Sequence, residues 1–239
     1  MKIFLAGAGG VIGRRLTPLL RAAGHDVVGT TRVADKAAAI AKLGADPVVV
    51  DVFDAAALAR AVAAAAPDLV MHQLTDLPAG PGTPGYEAGL ERNARLRIDG
   101  TRNLVDAAKA AGVRRLIAQS IAFVYASGDG TRVENDPLDL ASTGARRRTV
   151  EGVAVLEEAT LEMPEGIVLR YGLLYGPGTW FEREKRGAPS LHVDAAAQAA
   201  LLAVTCGVHG IYNIAEDDGA VSSEKAKRDL GFDAGFRVT

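Results

Sequence analysis

The sequence is poor in several features that mark particular classes of protein. Its single cysteine, Cys206, excludes an internal disulfide and is typical of a reducing compartment. The formal net charge is only −2 at pH 7, and the densest basic cluster, Arg146 to Arg148, is too short to follow a nucleic-acid backbone. No stretch approaches the roughly 18 apolar residues that a membrane span requires. We therefore expect a cytoplasmic protein that binds a small molecule, and neither a nucleic acid nor a membrane.

Two further absences narrow the chemistry. The apolar start of the chain ends quickly and is followed by Arg14 and Arg15, which is unlike a signal peptide. The histidines and carboxylates do not occur at the spacings of metal ligands, so no metal site is predicted. Whether the protein forms a homodimer is left open by the sequence.

What the sequence does contain is a regular alternation of short apolar runs with longer, alanine-rich segments of helical period. Strands are predicted at 2–6, 26–31, 47–51, 69–74, 115–120 and 166–171, and helices at 11–23, 34–43, 55–65, 86–111 and 147–161. The strand segments are apolar throughout, which is typical of strands that are covered on both faces. This order predicts an α/β fold, a doubly wound parallel sheet with right-handed crossovers.

A glycine-rich turn, AGAGGVIGRR, joins the first predicted strand to the first predicted helix. In such a turn Gly7 allows the sharp bend, Gly10 lets the backbone approach a diphosphate, and Gly13 lets the helix pack closely on the strand. The amides around Val11 and Ile12, at the positive end of the helix, would face the anion. Strand, turn and helix together predict a Rossmann-type dinucleotide site.

The end of the second predicted strand indicates which dinucleotide binds. Sites for NAD usually place a carboxylate there, on the ribose 2′-hydroxyl, whereas this sequence has Thr30, Thr31 and Arg32. An arginine suits a 2′-phosphate through its charge and its forked donors. We therefore predict NADP as the cofactor, with Arg32 at the adenosine end, and keep NAD as the alternative.

With these motifs the sequence resembles the extended branch of the short-chain dehydrogenase/reductase superfamily, the NAD(P)-dependent epimerases and dehydratases. Asp51 and Val52 resemble the pair that contacts adenine in that family, and Gln73 and Leu74 occupy the place that borders the cofactor. Further segments that resemble family motifs are 100–104, 169–171, 175–178, 192–194 and 222–230.

The resemblance also implies a division of the chain. Residues 1–175 would form the NAD(P)-binding Rossmann domain, and residues 176–239 the segments of a small substrate lobe, interleaved with the last elements of the sheet. Two connections in this lobe, 182–191 and 217–223, are much shorter than in the family. Either the lobe is minimal or loops are missing there. We expect missing loops, since substrate lids come from the least stable parts of a fold.

The catalytic signature of the family, Tyr-x-x-x-Lys, is absent. Thr149 and Val153 stand about where its tyrosine and lysine would be, and no lysine occurs from Ala110 to Glu184. A tyrosine without a neighbouring ammonium has a pKa near 10, so that only about one in a thousand is ionised at neutral pH. Another group must replace this pair, or the chemistry must do without it.

The remaining candidates for acid–base chemistry are hydroxyl groups. Ser120 ends the fifth predicted strand, where the family has catalytic serines or threonines, although a shift of one residue would put Ile121 there instead. Tyr125 and Tyr175 are the best candidates for an acid or base, with Ser120 as a hydroxyl partner. The alternative for each tyrosine is a packing role with a satisfied hydroxyl.

Three functions are compatible with this pattern. The first is an atypical NAD(P)-dependent oxidoreductase or epimerase that acts on a sugar-like or other small hydroxyl or carbonyl substrate. The second is a protein that senses the redox state of NADP(H) without turnover. The third is a structural or interaction role with a vestigial site. The complete cofactor framework favours the enzyme.

Overall fold

The computed structural model describes residues 1–238, and its elements follow the predicted alternation. The strands are β1 (Lys2–Ala6), β2 (Asp26–Thr31), β3 (Asp46–Val49), β4 (Leu69–His72), β5 (Arg115–Ile121), β6 (Glu165–Tyr171), β7 (Leu173–Tyr175), β8 (Ser190–His192) and β9 (Gly210–Ile214). The helices are α1 (Gly13–Ala22), α2 (Ala37–Lys42), α3 (Ala55–Ala65), α4 (Tyr86–Arg95), α5 (Thr101–Ala110), α6 (Gly144–Leu161), α7 (Val193–Leu202) and α8 (Glu224–Leu230). Within residues 1–238, no helix is both long and apolar enough to cross a membrane.

Seven strands form one parallel sheet in the order β3-β2-β1-β4-β5-β6-β9. The chain winds from β1 to one edge of the sheet, then returns and winds from β4 to the other edge. Between β1 and β4 the direction of winding reverses. In open α/β sheets, ligands bind in the crevice at the carboxyl ends of the strands beside such a switch point. The predicted doubly wound, Rossmann-type fold is confirmed.

Alternate side chains along each strand serve the two faces of the sheet, as the pleat requires. Ile3 and Leu5 of β1 lie in one buried cluster, together with residues of α1, α7 and α8. Phe4 and Ala6 lie in a second cluster, with residues of α3, α5 and α6. Because helices cover both faces, each strand needs apolar residues at almost every position.

The predicted boundaries differ from the structure where segments approach the crevice. The strands predicted at 47–51 and 69–74 end earlier, at Val49 and His72, and the residues that follow line the crevice. The long helix predicted at 86–111 is α4 and α5, joined by a π-helical turn at Leu96–Gly100. The predicted helix 34–43 begins as a 3₁₀ turn before α2.

The C-terminal part of the chain contributes both to the main sheet and to a small lobe. Strand β9 extends the sheet beyond β6, whereas β7 and β8 form a separate two-stranded parallel sheet. Residues 182–191 and 217–223 are described without interruption, and the Ser190 amide donates to the Asp218 carboxylate at 2.7 Å, which ties the two segments together. The two short segments thus pack against each other, and the expectation of missing loops remains a prediction. The domain boundary at residue 175 remains a prediction.

A buried ion pair connects α6 to the sheet. Arg170 on β6 donates from Nη2 and Nε to the Glu157 carboxylate, at 2.6 and 2.8 Å, and the two side chains are only 3 % and 5 % exposed. The hydroxyl of Ser120 donates to the same carboxylate at 2.7 Å. Loss of one partner would leave a buried charge without its counter-ion. This lowers the free energy of unfolding more than the loss of both partners does.

We predict that Arg170→Met lowers the free energy of unfolding by about 3–5 kcal/mol, because it leaves the Glu157 carboxylate uncompensated in the core. The double variant Glu157→Met/Arg170→Met should recover most of this loss, since neither charge of this pair then remains buried without the other. Urea unfolding of the wild type, both single variants and the double variant measures the effect. If the double variant loses as much stability as the two single variants together, the pair is not coupled in this way.

Candidate functional site

The glycine-rich turn lies where β1, α1 and the end of β4 come closest. Gly7 has a φ of +97°, and a Cβ there would lie 2.5 Å from the carbonyl oxygen of Gln73. A Cβ on Gly13 would collide with the carbonyl oxygen of Gly7, and one on Gly10 would lie 3.2 Å from that oxygen. Backbone therefore fills the space on the inner side of the turn, and only glycine fits at Gly7 and Gly13.

Two amides at the end of the turn have no partner among the described residues. The Gly10 amide donates to the Gly7 carbonyl at 3.0 Å and closes the turn. The amides of Val11 and Ile12, just before α1, have no hydrogen-bond acceptor among residues 1–238. Free amides at the positive end of a helix form an anion site. The predicted diphosphate cradle therefore fits the backbone that is present.

A cleft runs from this turn across the ends of β2, β3 and β4. Besides the turn, its lining residues come from the segments that follow these strands and from the π-helical turn. They are Thr30, Thr31, Arg32, Val33, Lys36, Val50, Asp51, Val52, Phe53, Leu58, Gln73, Leu74, Thr75 and Leu96. The cleft thus brings together Gly7, Gly10 and the predicted residues from three separate strand ends.

The adenosine end of the cleft carries two positive side chains. Arg32 is half-exposed and forms an ion pair with Asp76, at 3.2 Å between Nη2 and Oδ1. Lys36, in the 3₁₀ turn four residues later, lines the same cleft. The sequence analysis missed Lys36, although its spacing from Arg32 could have indicated it. Both cations lie near the end of β2, and the 2′-phosphate site predicted there stays a prediction.

The wall opposite Arg32 is fixed by hydrogen bonds of the backbone. The Asp51 carboxylate accepts the Phe53 amide at 3.0 Å, and the Val52 carbonyl accepts the Asn103 side-chain amide at 2.9 Å. These bonds hold the Asp51–Val52 segment between β3 and α5. It is the segment that the family resemblance assigns to adenine.

Gln73 and Leu74 form the floor between β1 and β4. The Gln73 amide donates to the Ala6 carbonyl at 2.8 Å, and the Leu74 amide donates to Nδ1 of His72 at 3.2 Å. Burial lowers the pKa of His72 to about 4. The ring is therefore neutral at pH 7, with Nδ1 as the acceptor and Nε2 bonded to the Thr101 hydroxyl at 2.9 Å.

The structure places Ser120 and Tyr125 away from the cleft. Ser120 is bonded to Glu157, as described above, on the face of the sheet that packs against α6. The Tyr125 hydroxyl donates to Asn213 at 2.6 Å and accepts from Arg170 at 2.8 Å, and burial raises its pKa. Both hydroxyls are satisfied inside the protein. This arrangement does not support the catalytic roles predicted for them, and it follows the alternative of a packing role.

Tyr175 lies in the small lobe. Its hydroxyl donates to Glu216 at 2.6 Å and accepts from Arg237 at 3.0 Å. Partial burial and the Glu216 carboxylate raise the pKa of Tyr175, which opposes a role as a base at neutral pH. Tyr175 is not among the residues that line the cleft.

The first half of α6 holds the positions of the missing signature. Val153 is fully buried, and Thr149 lies one turn before it. Gly152 lets α6 approach α4 closely, because a Cβ there would lie 3.2 Å from the Ala94 backbone. The end of the cleft that faces α6, which we call the α6 end, thus lacks the phenol and ammonium of the family signature.

The lobe reaches the β4–α4 loop beside the cleft. The indole of Trp180 donates to the Pro78 carbonyl at 3.0 Å, and its ring lies 6.2 Å from that of Tyr86. One tryptophan thus connects the segment after β7 to the loop after β4.

The parallel sheet, the glycine cradle and the cleft at the switch point define a dinucleotide-binding protein of Rossmann type. Residues 7–152, which are more than half of the chain, match the model of a family described as NAD(P)H-binding. The chain belongs to this NAD(P)H-binding family, and its general class is that of the NAD(P)-dependent oxidoreductases.

Similar proteins include one named reductase. The chain is 39% identical over 245 aligned residues to a 3-diazoavenalumate denitrifying reductase of a Streptomyces species, with 94% of this chain and 79% of the relative covered. Among solved structures, UDP-glucose 4-epimerases of Thermotoga maritima, with UDP-glucose, and Thermus thermophilus, with NAD, have TM-scores of 0.77 and 0.78. The Thermotoga maritima enzyme is 17% identical, and the alignment covers 99% of this chain and 94% of that one. The Thermus thermophilus enzyme is 18% identical, and the alignment covers 100% of this chain and 95% of that one. This likeness concerns the fold.

We predict that Gly13→Ala weakens binding of NADPH by at least about tenfold, because the Gly7 carbonyl must move and the turn opens. The control is Gly9→Ala, since a Cβ at Gly9 meets no atom within 4 Å. Calorimetric titration gives the affinity, and thermal unfolding without cofactor gives the stability. Gly9→Ala should unfold as the wild type does. Equal affinity and stability for Gly13→Ala and the wild type would contradict the close approach described here.

Proposed function

We propose that the protein is an NADP(H)-dependent reductase that transfers hydride to a small substrate whose reduction needs no proton from the protein. The observation that carries this proposal is the replacement of the tyrosine and lysine of the family by Thr149 and Val153, beside an intact dinucleotide cleft. The cofactor site is complete, whereas the means of moving a proton is missing.

Reactions that form or oxidise an alcohol need a group that gives or takes a proton at the substrate oxygen. The three tyrosines nearest the strand ends do not meet this need. Burial raises the pKa of Tyr125 and of Tyr171, and Tyr175 is bonded to Glu216 in the lobe. The residues therefore favour a reductase over an epimerase or an alcohol dehydrogenase.

An arene diazonium group is a substrate class that meets the constraint. The reduced nicotinamide, when bound, supplies a hydride, and with a diazonium carbon as acceptor a C–H bond forms while the C–N bond breaks and N₂ leaves with its electron pair. Neither the product nor the leaving group then needs a proton. The name of the 39% identical relative, a denitrifying reductase of a diazo compound, supports this class.

The residues of this chain would hold the cofactor as follows. The Val11 and Ile12 amides bind the diphosphate, and Asp51 and Val52 border the adenine. Arg32 and Lys36 favour the 2′-phosphate of NADP(H), since the end of β2 offers no carboxylate for a ribose hydroxyl. The α6 end of the cleft then receives the nicotinamide and the substrate.

The proposed reaction is tested with 3-carboxybenzenediazonium and NADPH that carries deuterium at the transferred position. We expect faster consumption of NADPH than without protein, benzoate with deuterium at the former diazonium carbon, and release of N₂. With saturating substrate, kcat should be constant between about pH 6 and 8, because the pKa of His72 lies near 4 and no general acid or base takes part.

The Gly13→Ala variant and a reaction without protein serve as controls, since diazonium ions also react in solution. Turnover of a panel of aldehydes and ketones in place of the diazonium would contradict the proposal. A bell-shaped pH profile of kcat would do so as well, because it would reveal an acid–base pair.

For the cofactor we predict that Arg32→Gln raises the Kd of NADPH about tenfold to a hundredfold, the worth of a charge-assisted hydrogen bond, and leaves the Kd of NADH nearly unchanged. The matched control is Arg92→Gln, because Arg92 lies 3.6 Å from the same Asp76 carboxylate but does not line the cleft. Titrations of both variants with both cofactors measure the effect. An equal loss of NADPH and NADH affinity in Arg32→Gln would argue against a 2′-phosphate site.

A further inference from the structure

A buried arginine lies in the π-helical turn between α4 and α5. The Arg97 side chain is only 7 % exposed, yet it forms no hydrogen bond or ion pair with any of the residues 1–238. None of its nitrogen atoms is both sealed from solvent and without a hydrogen-bond partner. The guanidinium is therefore buried but not completely sealed from solvent.

The charge of Arg97 is retained despite its burial. Burial lowers the pKa of Arg97 to about 10, so the group remains protonated at pH 7. Glu157 is the carboxylate that acts on it electrostatically, but both oxygens of Glu157 already accept hydrogen bonds, from Ser120 and Arg170. A buried cation without a hydrogen-bonded counter-ion is costly for the folded state.

Arg97 does not line the cleft but adjoins it in the sequence. The preceding residue, Leu96, lines the cleft itself. Ala94, near the end of α4, packs against Gly152 of α6, and Glu157 of α6 acts electrostatically on Arg97. The charge of Arg97 also lowers the pKa of His72, at the end of β4. Arg97 thus lies between the end of β4 and α6, where the carboxyl ends of the strands bind ligands.

We propose that the Arg97 guanidinium binds an anionic oxygen of the substrate, in a subsite that adjoins the cofactor cleft. The planar fork of an arginine suits a carboxylate, and a phenolate offers the same charged oxygen. The subsite rests on the proposed function in one respect: the anion belongs to the molecule that accepts the hydride. Such a contact would fix the orientation of an aromatic acid beside the nicotinamide.

Binding of simple anions tests the subsite without any turnover. The probes are benzoate and 4-nitrophenolate, with benzamide as the neutral control, titrated into the protein saturated with NADP⁺. We expect one or both anions to bind and benzamide not to bind. A response to benzoate alone identifies a carboxylate site, and a response to 4-nitrophenolate alone identifies a phenolate site. Binding of neither anion overturns the proposal.

Variants of Arg97 then show whether this side chain is responsible. Arg97→Met should weaken anion binding at least about tenfold, and Arg97→Lys severalfold, since lysine keeps the charge but not the fork. The matched control is Arg95→Met, because Arg95 lies on α4 with a side chain that is 67% exposed. It should bind the anions as the wild type does.

Two further readouts separate this role from others. The Kd of NADPH should stay unchanged in Arg97→Met, and its melting temperature should not fall, because an apolar side chain replaces an uncompensated charge. Loss of NADPH affinity would assign Arg97 to the cofactor instead, and a lower melting temperature with unchanged anion binding would make it structural. Either result overturns the proposal.

The proposed reaction can fail independently of the subsite. With benzenediazonium, which has no anionic group, the KM of Arg97→Met should change much less than with a substrate that carries a carboxylate. With 3-carboxybenzenediazonium its KM should rise at least about tenfold, with a smaller change in kcat. If neither diazonium is reduced by the wild type, the proposed function is wrong, whereas the titrations with benzoate and 4-nitrophenolate still decide on the subsite.

Discussion

The carbonyl oxygens of Gly7 and Gln73 leave no space for a side chain where β1 turns into α1. This close approach of three backbone segments sets the distance of α1 from the sheet. It also leaves the Val11 and Ile12 amides without an acceptor in the described residues, at the switch point of the winding. The shape of the cleft at this turn and the direction of α1 both depend on it. A single added methyl group would act on each of them at once.

Much of the fold could be predicted from the sequence, because its signals are local. A strand covered on both faces must be apolar throughout, and a glycine turn between strand and helix has a strong steric cause. Gly7, Gly10, Arg32, Asp51 and Gln73 were therefore expected at one cleft and are found there. The cleft follows from which residues end each strand, which a sequence reveals directly.

The chemistry at the α6 end was harder to predict. It depends on the face of β5 to which each side chain points and on the helical phase of the residues after α4. Ser120 and Ile121 point to opposite faces of β5, and a shift of one residue decides which of them could meet a substrate. Arg97 lies in a π-helical turn, where one extra residue changes the phase of a helix that looks regular in the sequence. Partners distant in the sequence, such as Glu157 and Asn213, are visible only once the chain is folded.

The single tryptophan gives the protein a built-in optical probe. Trp180 belongs to the lobe, yet its indole nitrogen donates to the Pro78 carbonyl in the loop after β4. Any ligand that separates or tightens these two segments changes the surroundings of that indole. Its emission therefore reports how far the lobe stands from the sheet, without a label and without background from a second indole.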